Sequence, residues 1–362
     1  MDHIEINYME FSRSALQRNA RTICHEVKVP VIAMLKCDGY GISLTEAARI
    51  WQEAGAALFA VAQPHEALAL RRAGFSEDIL LTSPVGDSEM IIRLLYHDII
   101  LTVTSAENAA LYRSCASRFP IRAHVAVDTG MGRFGVSWRN TDELKAIYAL
   151  TGFSFEGIFS HFAQSFEPNY RHTKVQLDRF LTAIDALAAQ GISVGLRHIA
   201  NSCAALRFPE TRLDAVRIGS ALLGRLCCQS PVPLVPVGTF KAQIVDIKHL
   251  QKGDTTGYGS LCRVRCDTAA AVVAIGRENG FGLADVPEAL PLRFRLRQWL
   301  KLLWQQPPCV CSPRHPNHPL PLIGRIGTQY TLFDATGLSL RPGDYVTAQV
   351  PLLFSGHRKR LI

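Results

Sequence analysis

The chain has 362 residues, 48% of them apolar and 19% charged, and carries 39 Lys and Arg against 31 Asp and Glu, a formal net charge of +8. That length and apolar content suffice for a large core divided over two domains. No apolar run reaches membrane-spanning length, and the charged start Met1-Asp-His-Ile-Glu is not expected to act as a signal peptide, so neither a membrane span nor an exported protein is indicated.

The positive charge is uneven. Residues 226–362 carry 16 Lys and Arg against 8 Asp and Glu, whereas residues 1–225 carry 23 of each. No aromatic-interleaved basic patch or nucleic-acid motif accompanies the excess, which therefore reads as solvated surface, with no nucleic-acid partner. The ten cysteines are irregularly scattered and read as reduced thiols of a cytoplasmic protein, with Cys37 and Cys203 falling in segments singled out below.

In chain order, residues 2–7 alternate as a short strand, and Phe11 to Val27 follows with helical spacing. Pro30 then opens a buried strand, Val31 to Leu35, that delivers Lys36 at its end, with Gly39 and Gly41 marking the loop beyond. Further apolar runs fall at 57–62, 78–82, 98–103, 121–127, 154–160, 194–199 and 213–216. Helical patterns lie between them, including Leu44–Glu53, Glu66–Ala73, Ala106–Ser117, Asp142–Leu150, Val175–Gln190 and Asn201–Leu206. Eight strands mostly separated by helices predict an α/β fold, a (β/α)8 TIM-type barrel over residues 1–225, with residues 2–7 candidates to pair elsewhere.

In such a barrel, ligands bind at the carboxyl ends of the strands. A lysine placed there can shed its proton when partly desolvated and can form a Schiff base; alone, Lys36 would read as a solvated strand terminus. The other strand ends agree, however. The fifth runs into Asp128-Thr-Gly-Met-Gly-Arg133-Phe-Gly135, the sixth into Ser160-His161-Phe-Ala163, the seventh into His198-Ile-Ala-Asn201-Ser202-Cys203, and the eighth into Val216-Arg217-Ile-Gly219-Ser220. Loops after the last two strands commonly hold phosphate, which makes Ser202, Gly219 and Ser220 candidates. Ordinary helix capping accounts for any one of these residues taken singly.

After Gly224, Pro231, Pro233 and Pro236 form a linker, and residues 226–362 read as an all-β C-terminal domain with runs at Phe240–His249, Ala269–Ile275, Leu322–Ile326, Tyr330–Phe333 and Asp344–Leu353. It carries Gly257-Tyr258-Gly259-Ser260 just after a Gly253-Asp254 turn. The interval 283–320 stands apart. Leu296, Trp299, Leu300 and Leu303 have helical spacing among Arg293, Arg295, Arg297 and Lys301, giving a basic amphipathic helix. Cys309-Val-Cys311-Ser-Pro-Arg-His315-Pro-Asn-His318 then reads as a loop whose spacing matches none of the usual structural-zinc patterns, so no metal is assigned.

Taken together, Lys36 with Gly39-Tyr40-Gly41, the Asp128-Thr-Gly-Met-x-Arg133-x-Gly135 segment, His161-Phe-Ala163, Ala200-Asn-Ser202, Arg217-x-Gly219 and Tyr258-Gly259 resemble the alanine racemase family over nearly the whole length. The resemblance implies pyridoxal 5'-phosphate as cofactor, a small amino acid as substrate with alanine the default, and a homodimer with composite sites. Lys36 would carry the cofactor and act as one acid/base group. Tyr258, from the partner subunit, would act on the opposite face of the substrate. Arg217 would face the pyridine nitrogen and His161 would bond Arg217. Tyr40, Ser202, Gly219 and Ser220 would hold the phosphate, with Asn201 beside them, while Arg133 and Thr328 would lie near the substrate carboxylate.

The chain also departs from the family pattern. Ala126 stands where a lysine usually precedes Asp-Thr-Gly, Thr328-Gln329 replaces a Met-Asp pair, Arg277 replaces an entryway tyrosine, and Leu361 aligns with a phosphate-holding tyrosine. Leu361 apart, these changes surround the substrate and not the cofactor, so a racemase of another amino acid such as serine, or a degenerate cofactor-binding interaction domain, stands beside alanine racemisation. A barrel-type decarboxylase is disfavoured by Arg217, because those enzymes place a glutamate at the ring nitrogen.

Overall fold

The computed structural model describes residues 6–116, 119–283, 308–350 and 359–361. Two compact units emerge, one from Arg13 to Val237 and one combining the chain up to Ser12 with the chain from Gly238 onward.

The first strand, β1 (Asn7–Phe11), belongs to the second unit. It begins where the expected strand over residues 2–7 ends, and the helix Arg13–Val27 follows it. The first unit is then built on β2 (Val31–Met34), β3 (Leu58–Val61), β4 (Ile79–Leu81), β5 (Leu101–Val103), β6 (Ile121–Asp128), the short β7 (Val136–Ser137), β8 (Phe153–Phe159), β9 (Leu196–His198) and β10 (Val216–Ile218). Parallel ladders run β10-β2-β3-β4 and β5-β6-β8-β9, with β7 beside β6. Parallel bridges from Leu80 to Ile100 and from His198 to Ala215 join the two ladders and close the ring. The result is an eight-stranded parallel barrel, as the sequence pattern predicts.

These strands are short and buried on both faces, which is why they read as continuous apolar runs and not as alternating ones. Ile32, Leu58, Ala60, Leu80, Ile100 and Ala215 form one buried cluster, with Met34 and Leu196 packed on it. Helices follow the strands, and one of them, Ser88–Tyr96, is absent from the sequence reading. Its Asp87 cap, which accepts from the Met90 N–H at 2.7 Å, and its buried Ile91, Leu94 and Leu95 carry a helical signal that the adjoining apolar run obscures.

The Pro-rich linker that follows the barrel packs with the barrel unit. Residues up to Val237 group with the barrel because Asn19, buried in the first helix, clasps the linker: its Nδ2 donates to the Leu222 and Val235 carbonyls at 3.0 and 2.7 Å, and its Oδ1 accepts from the Val235 N–H at 2.8 Å. Gly224, at φ +70°, lets the chain pass so close that a Cβ there would sit 1.9 Å from the Val235 carbonyl oxygen.

The second unit is all-β among its described residues. Its axis is β11 (Gly238–Leu250), followed by β12 (Thr255–Thr256), β13 (Cys262–Arg263), β14 (Thr268–Val273), β15 (Val310–Ser312), β16 (His315–Leu320), β17 (Leu322–Ile323), β18 (Thr331–Asp334), β19 (Tyr345–Ala348) and β20 (Lys359–Leu361). β11 pairs antiparallel with β1, β14 and β19, with Asn7 opposite Ala242 and Phe11 opposite Gly238. The Cys309–His318 stretch, expected as a loop, forms the antiparallel β15–β16 hairpin, in which Cys311 pairs with Pro319 and Ser312 with His315. The expected amphipathic helix over 296–303 lies outside the described residues.

Candidate active site

Nine of the residues singled out from the sequence line one cavity of about 420 Å³ in the barrel unit: Lys36, Tyr40, Arg133, His161, Asn201, Ser202, Arg217, Gly219 and Ser220. That volume lies within the range of about 300–1,000 Å³ usual for small-molecule sites.

β2 ends at Met34, and the chain then turns sharply. Cys37, Asp38 and Gly39 take left-handed backbone angles, with φ between 53° and 64°, and Tyr40 follows at φ 57°. Left-handed residues other than glycine cost roughly 1–2 kcal/mol each, so the turn must be held from outside. Asp38 Oδ1 accepts from the Leu44 N–H at 2.8 Å, and Gly39 packs so closely on Ala47 that a Cβ would meet the Ala47 Cβ at 2.8 Å. The turn brings the Lys36 amine and the Tyr40 ring together, Nζ lying 5.8 Å from the ring centroid. The Tyr40 phenol is buried, which raises its pKa, and neighbouring Cys37 and Glu66 reinforce the shift against the pull of Arg217. It stays neutral and is able to donate.

Arg217 projects from β10 and is 6% exposed. Its Nη1 donates to His198 Nδ1 at 2.7 Å and to the His198 carbonyl at 3.1 Å. Its Nη2 donates to the Ser160 and Ile199 carbonyls at 2.5 and 3.2 Å and to His161 Nδ1 at 3.2 Å. Every one of these acceptors is neutral. Burial, with Arg133 nearby, lowers the guanidinium pKa to about 9, which still leaves it protonated at neutral pH.

Since a guanidinium only donates, it fixes the protonation of what it touches. His198 accepts at Nδ1, so its Nε2 carries the proton and donates to His124 Nδ1 at 2.9 Å. His161 likewise accepts at Nδ1. Burial and the Arg217 charge drive all three imidazoles toward the neutral form: His124 and His161 fall to about 3, and His198 well below its ordinary value. The sequence reading missed His124 and His198 as members of this chain. The signal was a histidine inside an apolar strand run, which on its own means no more than a satisfied core residue. Gly157 makes the space, for a Cβ there would sit 2.6 Å from His124 Cε1.

Around the rest of the cavity, Asp128 organises its own loop, its Oδ1 accepting from the N–H groups of Gly130, Met131 and Gly132 at 2.8 to 3.1 Å. Gln176, another residue the sequence reading missed, clamps two strand-end loops together: it donates to Thr129 Oγ1 and the His161 carbonyl at 3.2 and 3.1 Å and accepts from the Ala163 N–H at 2.9 Å. Asn201 caps the helix Ser202–Arg207, its Oδ1 accepting from the Ala204 N–H at 3.1 Å and from Ser165 Oγ at 2.7 Å. Ser202 Oγ accepts from the N–H groups of Gly219 and Ala221 at 3.1 and 3.4 Å, joining the loops after β9 and β10. Gly219 is required there because a Cβ would lie 2.2 Å from the Tyr40 hydroxyl. Arg133 is exposed and lies 5.5 Å from the Phe134 ring centroid, and Ala126 lines the cavity with no charge to offer it.

The remaining two candidates, Tyr258 and Thr328, belong to the β unit. Tyr258 sits in the turn between β12 and β13 and is 87% exposed. Thr328 shares a backbone ladder with Arg277: the Arg277 and Glu278 N–H groups donate to the Gly327 and Thr328 carbonyls at 2.9 and 3.1 Å. Among the described residues, no group of three His, Cys, Asp or Glu is placed to hold a metal.

The chain is similar in sequence and fold to known proteins. The pattern of the alanine racemase N-terminal domain matches residues 11–226 and that of the alanine racemase C-terminal domain residues 237–353. The alanine racemase of Desulforamulus reducens is 35% identical over 284 residues, covering 76% of each chain. Among solved structures, the alanine racemase of Streptomyces lavendulae superposes with a TM-score of 0.82 at 25% identity, over 100% of this chain and 98% of that one. The histidine racemase of Leuconostoc mesenteroides shares the fold, with a TM-score of 0.82 at 21% identity over 100% of this chain and 99% of that one. With both domains matched in order, the chain belongs to the alanine racemase family and is a racemase, an isomerase, of that family.

Proposed function

We propose that the chain is a pyridoxal 5'-phosphate-dependent racemase of alanine or of a similarly small neutral amino acid such as serine, working as a homodimer with Lys36 and Tyr258 as its two proton-transfer groups. One observation carries this reading: a buried arginine, Arg217, whose partners are all neutral acceptors, lines the same cavity as the Lys36 amine. A carboxylate in that position would protonate a pyridine nitrogen, whereas a guanidinium cannot. The ten free thiols support the cytoplasmic placement expected from the sequence.

The cavity suits that cofactor. It offers an amine at one strand end, a charged donor at another, and the hydroxyls of Tyr40, Ser202 and Ser220 around a glycine whose missing Cβ leaves room. Lys36 would hold the cofactor covalently. Arg217 would face its ring nitrogen, braced by His161 and His198, and Tyr40, Ser202, Gly219 and Ser220 would hold its phosphate, with Asn201 fixing the Ser202 turn. When bound, pyridoxal phosphate supplies an electron sink for the pair left at an α-carbon when its proton departs.

Racemisation needs the α-proton removed on one face and delivered on the other. The Lys36 amine serves one face and the Tyr258 phenol the other, so the substrate need not turn over. A tyrosine with an ordinary pKa of about 10 is a poor base at neutral pH, and a cation placed beside it lowers that value. The exposure of Tyr258 on a hairpin turn supports its being supplied to a second subunit's cavity. Arg133 and Thr328 would receive the substrate carboxylate.

The test is exchange of the α-proton into deuterated water over a panel of alanine, serine, glutamate, ornithine and histidine, alongside borohydride reduction and peptide mapping. Exchange is expected to be fastest with alanine or serine, with the phosphopyridoxyl group on Lys36. No exchange with any amino acid, or a label on another lysine, overturns the reading.

A further inference from the structure

We propose that Gln176 and Arg179, on the helix Arg171–Ala188, are positioning residues for the substrate carboxylate: they hold from behind the loop that carries Arg133. The proposal rests on the reading of Arg133 as the group that receives that carboxylate.

Arg133 needs such support because Ala126, which lines the same cavity, offers no charge to aim it. Arg133 itself is exposed, 5.5 Å from the Phe134 ring centroid. An arginine on a loosely held loop would have to be ordered by its ligand, and that ordering costs affinity.

The loop is tied at its base. Val127 pairs with Val136 and Asp128 with Ser137, so residues 129–135 form a short excursion closed by a parallel ladder. Inside it, Asp128 Oδ1 accepts from the N–H groups of Gly130, Met131 and Gly132, which fixes the backbone up to the residue before Arg133. Gly135 closes the far side, where a Cβ would lie 2.7 Å from the Ala126 carbonyl oxygen.

The helix then fixes where this excursion sits. Gln176 and Arg179 are three residues apart and share a helix face. Arg179 Nη1 donates to the Thr129 carbonyl at 2.9 Å, and a Cβ on Gly130 would sit 3.1 Å from that nitrogen. Gln176 is fully buried. The Ala163 N–H can only donate, so Gln176 Oε1 accepts it at 2.9 Å. The amide nitrogen therefore spends its two hydrogens on Thr129 Oγ1 at 3.2 Å and the His161 carbonyl at 3.1 Å. That leaves the proton of the buried Thr129 hydroxyl for Ser160 Oγ, 2.8 Å away. The Ser160 carbonyl and the His161 ring both accept from Arg217. One helix face thus sets the Arg133 loop against the strand end that braces Arg217.

The experiment titrates the protein loaded with pyridoxal phosphate with alanine and with ethylamine, followed by cofactor absorbance, beside kcat and KM for alanine. Ethylamine is alanine without its carboxylate, so it separates carboxylate placement from general damage to the site. In Arg179→Met and in Gln176→Met, alanine affinity is expected to fall about tenfold and KM to rise with it, with kcat and ethylamine affinity changed by no more than about twofold. Arg179→Lys keeps a donor for the Thr129 carbonyl and should recover most of the loss. Arg179 is only half-buried, which guards against a misfolded variant at the buried Gln176. Arg133→Met is the reference and should show the same selective loss. Unchanged alanine affinity at both helix positions, an equal loss for the two amines, or a fall in kcat at unchanged KM overturns the positioning role. If Arg133→Met itself spares alanine, the reading of Arg133 fails and the role falls with it; a loss in Arg133→Met that neither helix variant shares overturns the role alone.

Discussion

In the barrel unit, Arg217 is 6% exposed and commits Nη1 and Nη2 to five neutral acceptors; in the β unit, Tyr258 is 87% exposed in a turn between two short strands. The barrel residues are oriented by their own fold before any ligand arrives, with tautomers and charge already set. Those of the β unit are presented at a surface, and their chemistry depends on what that surface meets. The two kinds of site residue should therefore fail differently when changed: barrel changes should carry a folding cost wherever they break the buried chain, and β-unit changes should leave the fold intact.

The largest effect is expected at Lys36. Its side chain has the Tyr40 ring as its neighbour and none of the bonds that hold the barrel. Replacing Lys36 with Ala should lower racemisation by about 10⁴-fold or more, since on the proposed function it removes both the attachment point and one proton-transfer group. Thermal unfolding of the apoprotein should be unchanged. Residual turnover within tenfold of wild type would put the chemistry elsewhere.

Next comes Tyr258→Phe, which should cost about 10²–10⁴-fold in turnover while leaving stability within about 0.5 kcal/mol, because the lost hydroxyl is on the surface. Mixing inactive Lys36→Ala with inactive Tyr258→Phe should recover part of the activity if Tyr258 completes a partner's cavity, because one hybrid site regains both groups. Subunit exchange without recovery would mean that the tyrosine serves its own chain.

The contrast between the units also explains what the sequence could and could not reveal. The barrel was legible because its strands are buried on both faces and end in chemistry-bearing residues: Lys36, Arg133, His161, Ser202 and Arg217 could each be placed at a strand end from apolar runs alone. The supports were not legible. His124 and His198 meet across two strands 74 residues apart in sequence, and no local pattern announces that. Gln176 looks like any polar residue on a helix until its three bonds across two loops are seen. In the β unit, the pairing of β1 with β11 across more than two hundred residues, and of Cys311 with Pro319 in a stretch rich in prolines, runs against local propensity and is decided by tertiary pairing.

The buried imidazoles give a third prediction, specific to the barrel. His124 and His198 are 2% and 0% exposed, and burial with Arg217 lowers both pKa values, His124 to about 3. Arg122 adds to the shift at His124 and Asp78 opposes it. An unfolded histidine titrates near 6.5, so between that value and about 3 the unfolded chain binds protons that the native barrel does not. The contribution is fully present above pH 6.5 and is lost as pH falls, by about 1 kcal/mol per pH unit for each imidazole. His161 faces the cavity and should contribute less. Urea unfolding of the holoprotein between pH 7 and 5 should show this slope, and His124→Asn should flatten it. A slope unchanged in that variant would mean that His124 is already charged in the fold.

The smallest effect concerns the β unit's own charge. Arg277 is exposed, and its backbone is laddered to Gly327 and Thr328, so the two positions that depart from the family pattern move as one piece. At the entryway position that the resemblance implies for it, Arg277 would repel a second cation by about 1 kcal/mol at 4 Å in water, a bias of roughly fivefold. Alanine and serine should therefore be used before lysine or ornithine, and glutamate should suffer no comparable penalty. Changing Arg277 to Tyr should raise kcat/KM for ornithine relative to alanine by about five- to tenfold while leaving alanine itself little changed. The measurement is kcat/KM for alanine, serine, glutamate and ornithine in both proteins at low and high salt. An exposed pair is screened by salt, so the ornithine penalty should shrink as ionic strength rises. If ornithine proves the best substrate of the unaltered protein, Arg277 does not face the substrate's path, and selectivity must be sought in the barrel wall around Ala126 and Arg133.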